Sequence, residues 1–128
     1  MENICFEHLC IRAKDLDETI AFYEEMFGFK TDKVDQLERA DGITKLALIS
    51  LGDFVLEVVA PPVPDKDPVP GHFAHLCFRV DDVDESVKKL TEKGAKFIGE
   101  PKDMPLFGGI RNINLTGPNG ELLELLAK

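Results

Sequence analysis

The sequence predicts an α+β fold of two tandem βαβββ modules, and an internal repeat is the main reason. Residues 6–13 (FEHLCIRA) match residues 73–80 (FAHLCFRV) at an offset of 67 (75 − 8), with Phe, His, Leu, Cys and Arg in place. The same offset (124 − 57) carries residues 55–60 (VLEVVA) onto residues 122–127 (LLELLA). Each half therefore holds a histidine in one apolar strand and a glutamate in another, 49 residues later (57 − 8).

The first module begins with a predicted strand over residues 3–13, followed by a helix. Asp15 is the expected N-cap, and Glu18 three positions later completes an Asp variant of the capping box. Gly28 supplies the C-terminal stop of this helix. Its inward face is expected to carry the apolar residues at helical spacing, Leu16, Ile20, Tyr23 and Phe27. Strands follow at 29–34, 45–51 and 54–60, with a polar connection at 36–41 and a turn at Gly52-Asp53.

The second module repeats this order. Asp82 takes the place of the first N-cap, Gly94 ends the helix, and the inward stripe is Val83, Val87 and Leu90. The predicted strands are 72–80, 96–98, 110–115 and 122–126. Residues 100–109 contain two prolines and a Phe-Gly-Gly sequence, so this loop is either a lid or a plain surface loop.

Length and composition indicate one domain over residues 1–128. Module one spans 1–60, module two spans 72–128, and a linker at 61–71 carries five prolines in eleven positions. A module of about sixty residues buries a marginal share of its surface alone. We therefore expect the modules to depend on each other or on a second chain.

Charge and cysteine content exclude several classes of function. A net charge of −9 and a pI near 4.7 argue against a nucleic-acid partner or an anionic membrane surface. No charged, apolar leader and no membrane-length apolar run is present in the sequence. The odd cysteine count, Cys5, Cys10 and Cys77, has no disulfide spacing. A reduced cytoplasmic protein is expected, with its thiols acting as small buried hydrophobes.

The repeated histidines and glutamates are the candidate metal ligands. A carboxylate among apolar strand neighbours is costly unless it is paired, hydrogen-bonded or bound to a cation. If the two modules pack about a pseudo-two-fold axis, the four side chains converge. Two imidazoles and two carboxylates suit one divalent ion, Ni²⁺, Co²⁺ or Zn²⁺ first, and Mn²⁺ or Fe²⁺ next. The predicted ligands are His8, Glu57, His75 and Glu124.

Several motifs together resemble the vicinal oxygen chelate superfamily. They are the strand pattern His-Leu-x-x-Arg, the following Asp-Leu-Asp or Asp-Val-Asp, a helix ending in Phe-Gly-Phe, and the closing sequence GPNGELLEL at residues 117–125. This superfamily includes glyoxalase I, methylmalonyl-CoA epimerase, fosfomycin-resistance proteins and extradiol dioxygenases. The resemblance covers essentially the whole chain.

The resemblance implies a curved, mostly antiparallel sheet around one metal, and a homodimer. The His-Glu-His-Glu set is similar to that of short bacterial glyoxalase I, where all four positions are ligands. Arg12 matches the position from which glyoxalase I holds a glutathione carboxylate. Glyoxalase I usually has Asn four residues after the first Glu, and this chain departs from it with Pro61.

The activity implied is a proton shift on a small-molecule substrate, a hemithioacetal or a related α-carbonyl compound. A metal that chelates two neighbouring substrate oxygens stabilises an enediolate, and a carboxylate serves as the base. Glu124 is the first candidate for the base and Glu57 the second. Arg79 repeats Arg12, and is either a second anion-binding group or a solvated strand-end arginine. The alternatives are a methylmalonyl-CoA epimerase-like enzyme and a non-catalytic binding protein of the bleomycin-resistance type.

Overall fold

A computed structural model describes residues 6–65 and 74–128 of the chain. It divides into two compact units, Met1–Lys66 and Asp67–Lys128. Each unit contains one helix and four strands in the order βαβββ, so the predicted α+β class with two such modules is confirmed. The first unit consists of β1 (Leu9–Arg12), α1 (Leu16–Phe27), β2 (Lys30–Arg39), β3 (Gly42–Leu51) and β4 (Phe54–Ala60). The second consists of β5 (Leu76–Arg79), α2 (Val83–Glu92), β6 (Lys96–Met104), β7 (Ile110–Thr116) and β8 (Leu122–Ala127).

Each unit forms one mixed four-stranded sheet. The strand orders are β1-β4-β3-β2 in the first unit and β5-β8-β7-β6 in the second. The first strand of each unit pairs in parallel with the last, and the other pairings are antiparallel. The parallel pair brings the histidine end of the first strand beside the glutamate of the last.

The two helices begin at the predicted aspartates. The side chain of Asp15 accepts a hydrogen bond from the backbone N–H of Glu18 at 2.9 Å, and Asp82 accepts one from Glu85 at 3.0 Å. Each bond satisfies a backbone donor that has no partner within the helix. Gly28 ends α1 in the left-handed conformation, with φ of 79°, which a residue without a Cβ adopts readily.

One face of each sheet is buried under its helix. In the first unit Tyr23 of α1 packs into a core with Ile49, Leu56 and Val58, and all four are fully buried. The corresponding core of the second unit consists of Val83, Leu115, Leu123 and Leu125. Because strand side chains alternate, Glu57 and Glu124 point to the opposite face, as the sequence predicts.

The predicted polar connection at 36–41 is wrong. Strand β2 continues to Arg39, pairs with β3 over its whole length, and leaves only a two-residue turn at Ala40-Asp41. Every residue of β2 is exposed, and six of its ten residues are charged. A strand at the edge of a sheet with both faces in water shows no alternation of apolar residues, so its sequence is similar to that of a loop.

The predicted loop at 100–109 is also shorter than expected. Strand β6 extends to Met104, which leaves residues 105–109 as the connection to β7. The pairing of β6 with β7 shifts register between Ile98 and Lys102, where Gly99 has a positive φ of 71°. Pro101 is tolerated in this interval because an irregular edge strand does not need its missing N–H.

Some predictions fall outside the described residues. These are Cys5, the first part of the predicted strand at 3–13, most of the linker at 61–71, and the start of the strand at 72–80. In the two described segments, neither helix has the length and apolar character that a membrane crossing needs.

Candidate metal centre

The first histidine–glutamate pair lies in the first unit. Strands β1 and β4 run in parallel with Cys10 opposite Glu57, and His8 stands two residues before Cys10. The imidazole Nε2 of His8 lies 3.6 Å from Oε1 of Glu57. The Glu57 side chain is 26% exposed, so the pair is open to solvent. The sequence repeat therefore identified two side chains that do meet.

The second pair repeats this geometry in the second unit. Strands β5 and β8 run in parallel with Cys77 opposite Glu124. Nε2 of His75 lies 3.1 Å from Oε1 of Glu124, and this glutamate side chain is only 13% exposed. The second carboxylate is thus more enclosed than the first.

The spacing within each pair fits a shared cation. Ligand atoms at about 2.1 Å from a metal are separated by roughly 3.0 Å at neighbouring octahedral positions and roughly 3.4 Å at tetrahedral ones. The two observed separations of 3.6 and 3.1 Å are close to these values. Imidazole nitrogen and carboxylate oxygen are also suitable donors for a divalent ion of this class.

Each unit supplies two donors of the predicted set. Across residues 6–65 and 74–128, no group of three His, Cys, Asp or Glu side chains is close enough to hold a metal ion. Two ligands are fewer than a stable transition-metal site uses. The predicted site therefore requires both pairs, and their convergence on one ion stays a prediction.

Glu7 supports the first histidine, and sequence reasoning missed it. Its Oε2 lies 2.5 Å from Nδ1 of His8. In the neutral tautomer that carries its hydrogen on Nδ1, the Nδ1–H group donates a hydrogen bond to this carboxylate, and the lone pair of Nε2 is left on the side of Glu57, where a cation could bind. The hydrogen bond to Glu7 is the main reason that the pKa of His8 is raised, and the charge of Glu57 adds to it. A carboxylate on the outer nitrogen is a common means of orienting a ligand histidine.

Asn112 supports the second glutamate, and it too was missed. Its side-chain Nδ2 donates a 2.8 Å hydrogen bond to Oε2 of Glu124, while Oε1 of the same carboxylate faces His75. The signal in the sequence was Asn112 and Asn114 at a spacing of two, between the apolar residues Ile110, Ile113 and Leu115. That spacing places both on the face of Glu124.

The first unit has no amide in this place. Leu48 lies opposite Glu57 as Asn114 lies opposite Glu124, and two residues earlier Leu46 lies opposite Val59 as Asn112 lies opposite Leu126. The two glutamates therefore have different surroundings although the repeat makes them equivalent.

The cysteines Cys10 and Cys77 were expected to be buried, and this is wrong. Both residues are exposed, because they share the open sheet face with the glutamates. The pKa of each is raised to about 11, first by partial burial of the thiol and then by the neighbouring Glu57 or Glu124 carboxylate. At neutral pH both thiols are therefore protonated.

The two repeated arginines also lie on this face. Arg12 is opposite Val59, and Arg79 is opposite Leu126. Both residues are exposed. Arg12 forms an ion pair with Asp65 at 2.6 Å.

A pocket of about 450 Å³ in the second unit lies away from the predicted ligands. It is lined by the start of α2, the end of β6, the start of β7 and the end of β8, and contains neither His75 nor Glu124. Arg111 in its wall donates to Asp84 at 2.8 Å and to Asp103 at 3.1 Å. These ion pairs link the helix start to the sheet.

A comparison with known protein families shows to which family this chain belongs. The sequence profile of the Glyoxalase/Bleomycin resistance protein/Dioxygenase superfamily matches residues 6–125. The chain belongs to this superfamily. The family resemblance found in the sequence motifs is thereby confirmed.

Curated relatives from this superfamily have different lengths. The chain is 28% identical to the uncharacterized protein YwbC of Bacillus subtilis, over 95% of this chain and 96% of that one. It is 27% identical to a probable lactoylglutathione lyase of Synechocystis, over 93% and 92% of the two chains. It is 33% identical to the putative glyoxylase CFP32 of Mycobacterium tuberculosis over 86% of this chain, but spans only 39% of that protein.

Solved structures of the superfamily share the fold. Glyoxalase I of Zea mays, as a V278E mutant, superposes with a TM-score of 0.77 at 28% identity, over 93% of this chain and 43% of that one. The fosfomycin resistance protein FosX of Listeria monocytogenes, solved with Mn(II) and a sulfate ion, gives 0.73 at 17% identity over 99% and 94%. At such identity the second similarity concerns the fold alone.

Proposed function

We propose that the protein is a metal-dependent isomerase or lyase of the glyoxalase I type. It would shift a proton between neighbouring carbons of a hemithioacetal or a related α-carbonyl substrate. The observation that carries this proposal is the His–Glu pair that occurs in both units with donor atoms 3.6 and 3.1 Å apart. The relatives named as lactoylglutathione lyases support the same class of reaction.

All four predicted ligands would hold the metal, and one of the two glutamates would also move the proton. His8, His75, Glu57 and Glu124 would hold one divalent ion, with Ni²⁺, Co²⁺ or Zn²⁺ first and Mn²⁺ or Fe²⁺ next. When bound, such an ion polarises substrate oxygens and stabilises the negative charge that develops on them. Glu7 would keep the lone pair of Nε2 of His8 available by accepting a hydrogen bond from Nδ1–H.

Glu124 is the proposed base. It would take the proton from the substrate carbon that bears the hydroxyl group and return it to the adjacent carbon, so no oxidant or reductant is consumed. Its carboxylate is enclosed, and the amide of Asn112 fixes its orientation at Oε2. An oriented carboxylate meets the geometric requirement for general-base catalysis. Glu57 is the second candidate, because it holds the equivalent position without that support.

A substrate screen on protein loaded with each metal in turn tests the proposed function. Hemithioacetal isomerisation and acyl-CoA epimerisation are followed together, with deuterium uptake from solvent as the sign of carbon deprotonation. Isomerisation supports the proposal, and epimerisation alone would assign the methylmalonyl-CoA epimerase type instead. Neither reaction, together with tight binding of a small molecule without metal, would identify a bleomycin-resistance-like binding protein.

A further inference from the structure

The guanidinium of Arg12 is held by a carboxylate of the same unit. Its Nε donates to Oδ2 of Asp65 at 2.6 Å, and Nη2 donates to Oδ1 at 3.3 Å. Both oxygens of the carboxylate are used, which is the geometry that gives arginine pairs their directional strength. The same contact lowers the pKa of Asp65.

This ion pair stands on the face that carries the candidate metal ligands. Arg12 follows Cys10 by two residues on β1 and therefore projects from the same side of the sheet. Arg12 is four positions after His8, a distance of about 13 Å along an extended chain. A ligand that binds near His8 and extends along β1 would reach the Arg12 guanidinium.

Packing of the segment after β4 helps to hold Asp65 in place. A Cβ on Gly42 would lie only 2.9 Å from Cβ of Pro62, so the proline sits directly against this glycine. Prolines at 61, 62 and 64 restrict the backbone between β4 and Asp65. A tethered and restricted carboxylate competes with free anions at a high effective concentration.

The equivalent arginine of the second unit, Arg79, has no such partner among residues 6–65 and 74–128. Arg79 is exposed and lies opposite Leu126, as Arg12 lies opposite Val59. Within residues 74–128, no carboxylate forms an ion pair with it. The repeat thus preserves both guanidinium groups, while in the described part of the chain a carboxylate pairs with Arg12 and none pairs with Arg79.

We propose that Asp65 competes with substrate for Arg12, and that Arg79 is the arginine more readily available to an anionic substrate group. The inference rests on the proposed function for the position of the substrate. It favours substrates whose group near Arg12 is neutral or cationic over those that carry a carboxylate there. A carboxylate at that end would meet a guanidinium whose charge is already neutralised.

The binding test uses inorganic phosphate and follows the side-chain N–H resonances of the two arginines by NMR. In the wild-type protein the Arg79 signal should titrate at a lower phosphate concentration than the Arg12 signal. In Asp65→Asn the Arg12 signal should titrate at a phosphate concentration about two- to fivefold lower than in wild type, as expected from loss of an exposed ion pair. Asp41→Asn, at an exposed turn, changes the net charge equally and should leave Arg12 as it is in wild type.

Equal titration of Arg12 in wild type and Asp65→Asn would overturn the inference. So would a wild-type Arg12 that binds phosphate more strongly than Arg79. Because the readout requires neither metal nor turnover, it remains decisive if the substrate screen finds no reaction.

If the screen does find isomerisation, specificity gives a second test. Asp65→Asn should raise kcat/KM for the hemithioacetal of glutathione relative to that of cysteamine, and Asp65→Asn combined with Arg12→Gln should cancel the gain. An unchanged ratio of the two kcat/KM values in Asp65→Asn would count against Asp65 as a specificity residue.

Discussion

The amide of Asn112 donates a 2.8 Å hydrogen bond to one oxygen of Glu124, and the other oxygen of that carboxylate faces His75. The first unit has Leu46 in the corresponding place. One glutamate is therefore held by a neighbouring strand, and its repeat partner is not. This difference separates two residues that the internal repeat makes equivalent.

Asn112→Leu, which copies the first unit, is expected to weaken metal binding. Loss of a polar group that supports a ligand costs roughly ten- to a hundredfold in metal affinity or activity. Calorimetric titration of the metal-free protein measures the change. Asn114→Leu, on the same face of the same strand, is the control and should have a smaller effect. Equal losses in both variants would show that Asn112 has no particular role in holding Glu124.

Glu124→Gln is expected to keep its metal and lose turnover by at least about a hundredfold, since general-base removal typically costs roughly a hundred- to ten-thousandfold. His75→Ala should instead lose metal and activity together. Metal content by mass spectrometry and steady-state rates distinguish the two results. If Glu57→Gln is the slow variant and Glu124→Gln stays active, the two carboxylates have exchanged roles. Full activity in both Gln variants would exclude this mechanism.

Chelation is expected to lower the melting temperature of the protein, and stoichiometric Ni²⁺ or Zn²⁺ should restore it. The reason is that an ion bound only by the folded state stabilises that state by mass action. Differential scanning fluorimetry gives the measurement, and His75→Ala should show no recovery. If the melting temperature changes with neither chelator nor added metal, and the purified protein contains no bound metal, the four-ligand site is contradicted.

Asp84→Asn is expected to lower the melting temperature at neutral pH but not in acid. Arg111 lowers the pKa of Asp84, so the ion pair stabilises the fold above the ordinary aspartate pKa of about 3.9 and loses its effect as pH falls through the lower folded-state value. The gap between wild type and variant should therefore close below about pH 4. Asp17→Asn, at the same position of α1 without an arginine partner in the described residues, controls for the helix dipole. If both variants lower the melting temperature by the same amount relative to wild type, the destabilisation comes from the helix dipole and not from the ion pair with Arg111.

A homodimer is expected in solution. Each unit covers only one face of its sheet with a helix, and a module of about sixty residues is too small to bury both faces itself. Light scattering at micromolar concentration should give twice the chain mass of 14.3 kDa. A mass of one chain would favour modules that pair within a single protein.

The internal repeat predicted much of the fold, because in each half the helix start and the last strand could be recognised from local sequence patterns. Asp15 and Asp82 mark the helix starts through local hydrogen bonds, which sequence reveals directly. Alternating apolar residues located β4 and β8. The edge strands were harder, since β2 is exposed on both faces and β6 contains a glycine, a proline and a shift in register.

For the candidate site, the spacing of His8 and Glu57 predicted a contact that the parallel pairing of β1 and β4 provides. The supporting groups were not predictable in the same way. Asn112 on β7 reaches Glu124 on the neighbouring strand β8 diagonally. This contact can be predicted only when the register of the two strands is known. Asp65 reaches Arg12 from a proline-rich segment 53 residues away in the chain, where no periodic pattern applies.

Strand β2 has a consequence for the behaviour of the protein at high concentration. Ten consecutive residues at the edge of a sheet offer unpaired backbone groups on which another chain's strand could assemble into a fibril. It carries three positive and three negative side chains between Lys30 and Arg39, and they surround the exposed Val34 and Leu37. Charged side chains of this kind oppose the desolvation that such stacking requires. The composition that makes β2 resemble a loop in the sequence thus also protects the protein against aggregation.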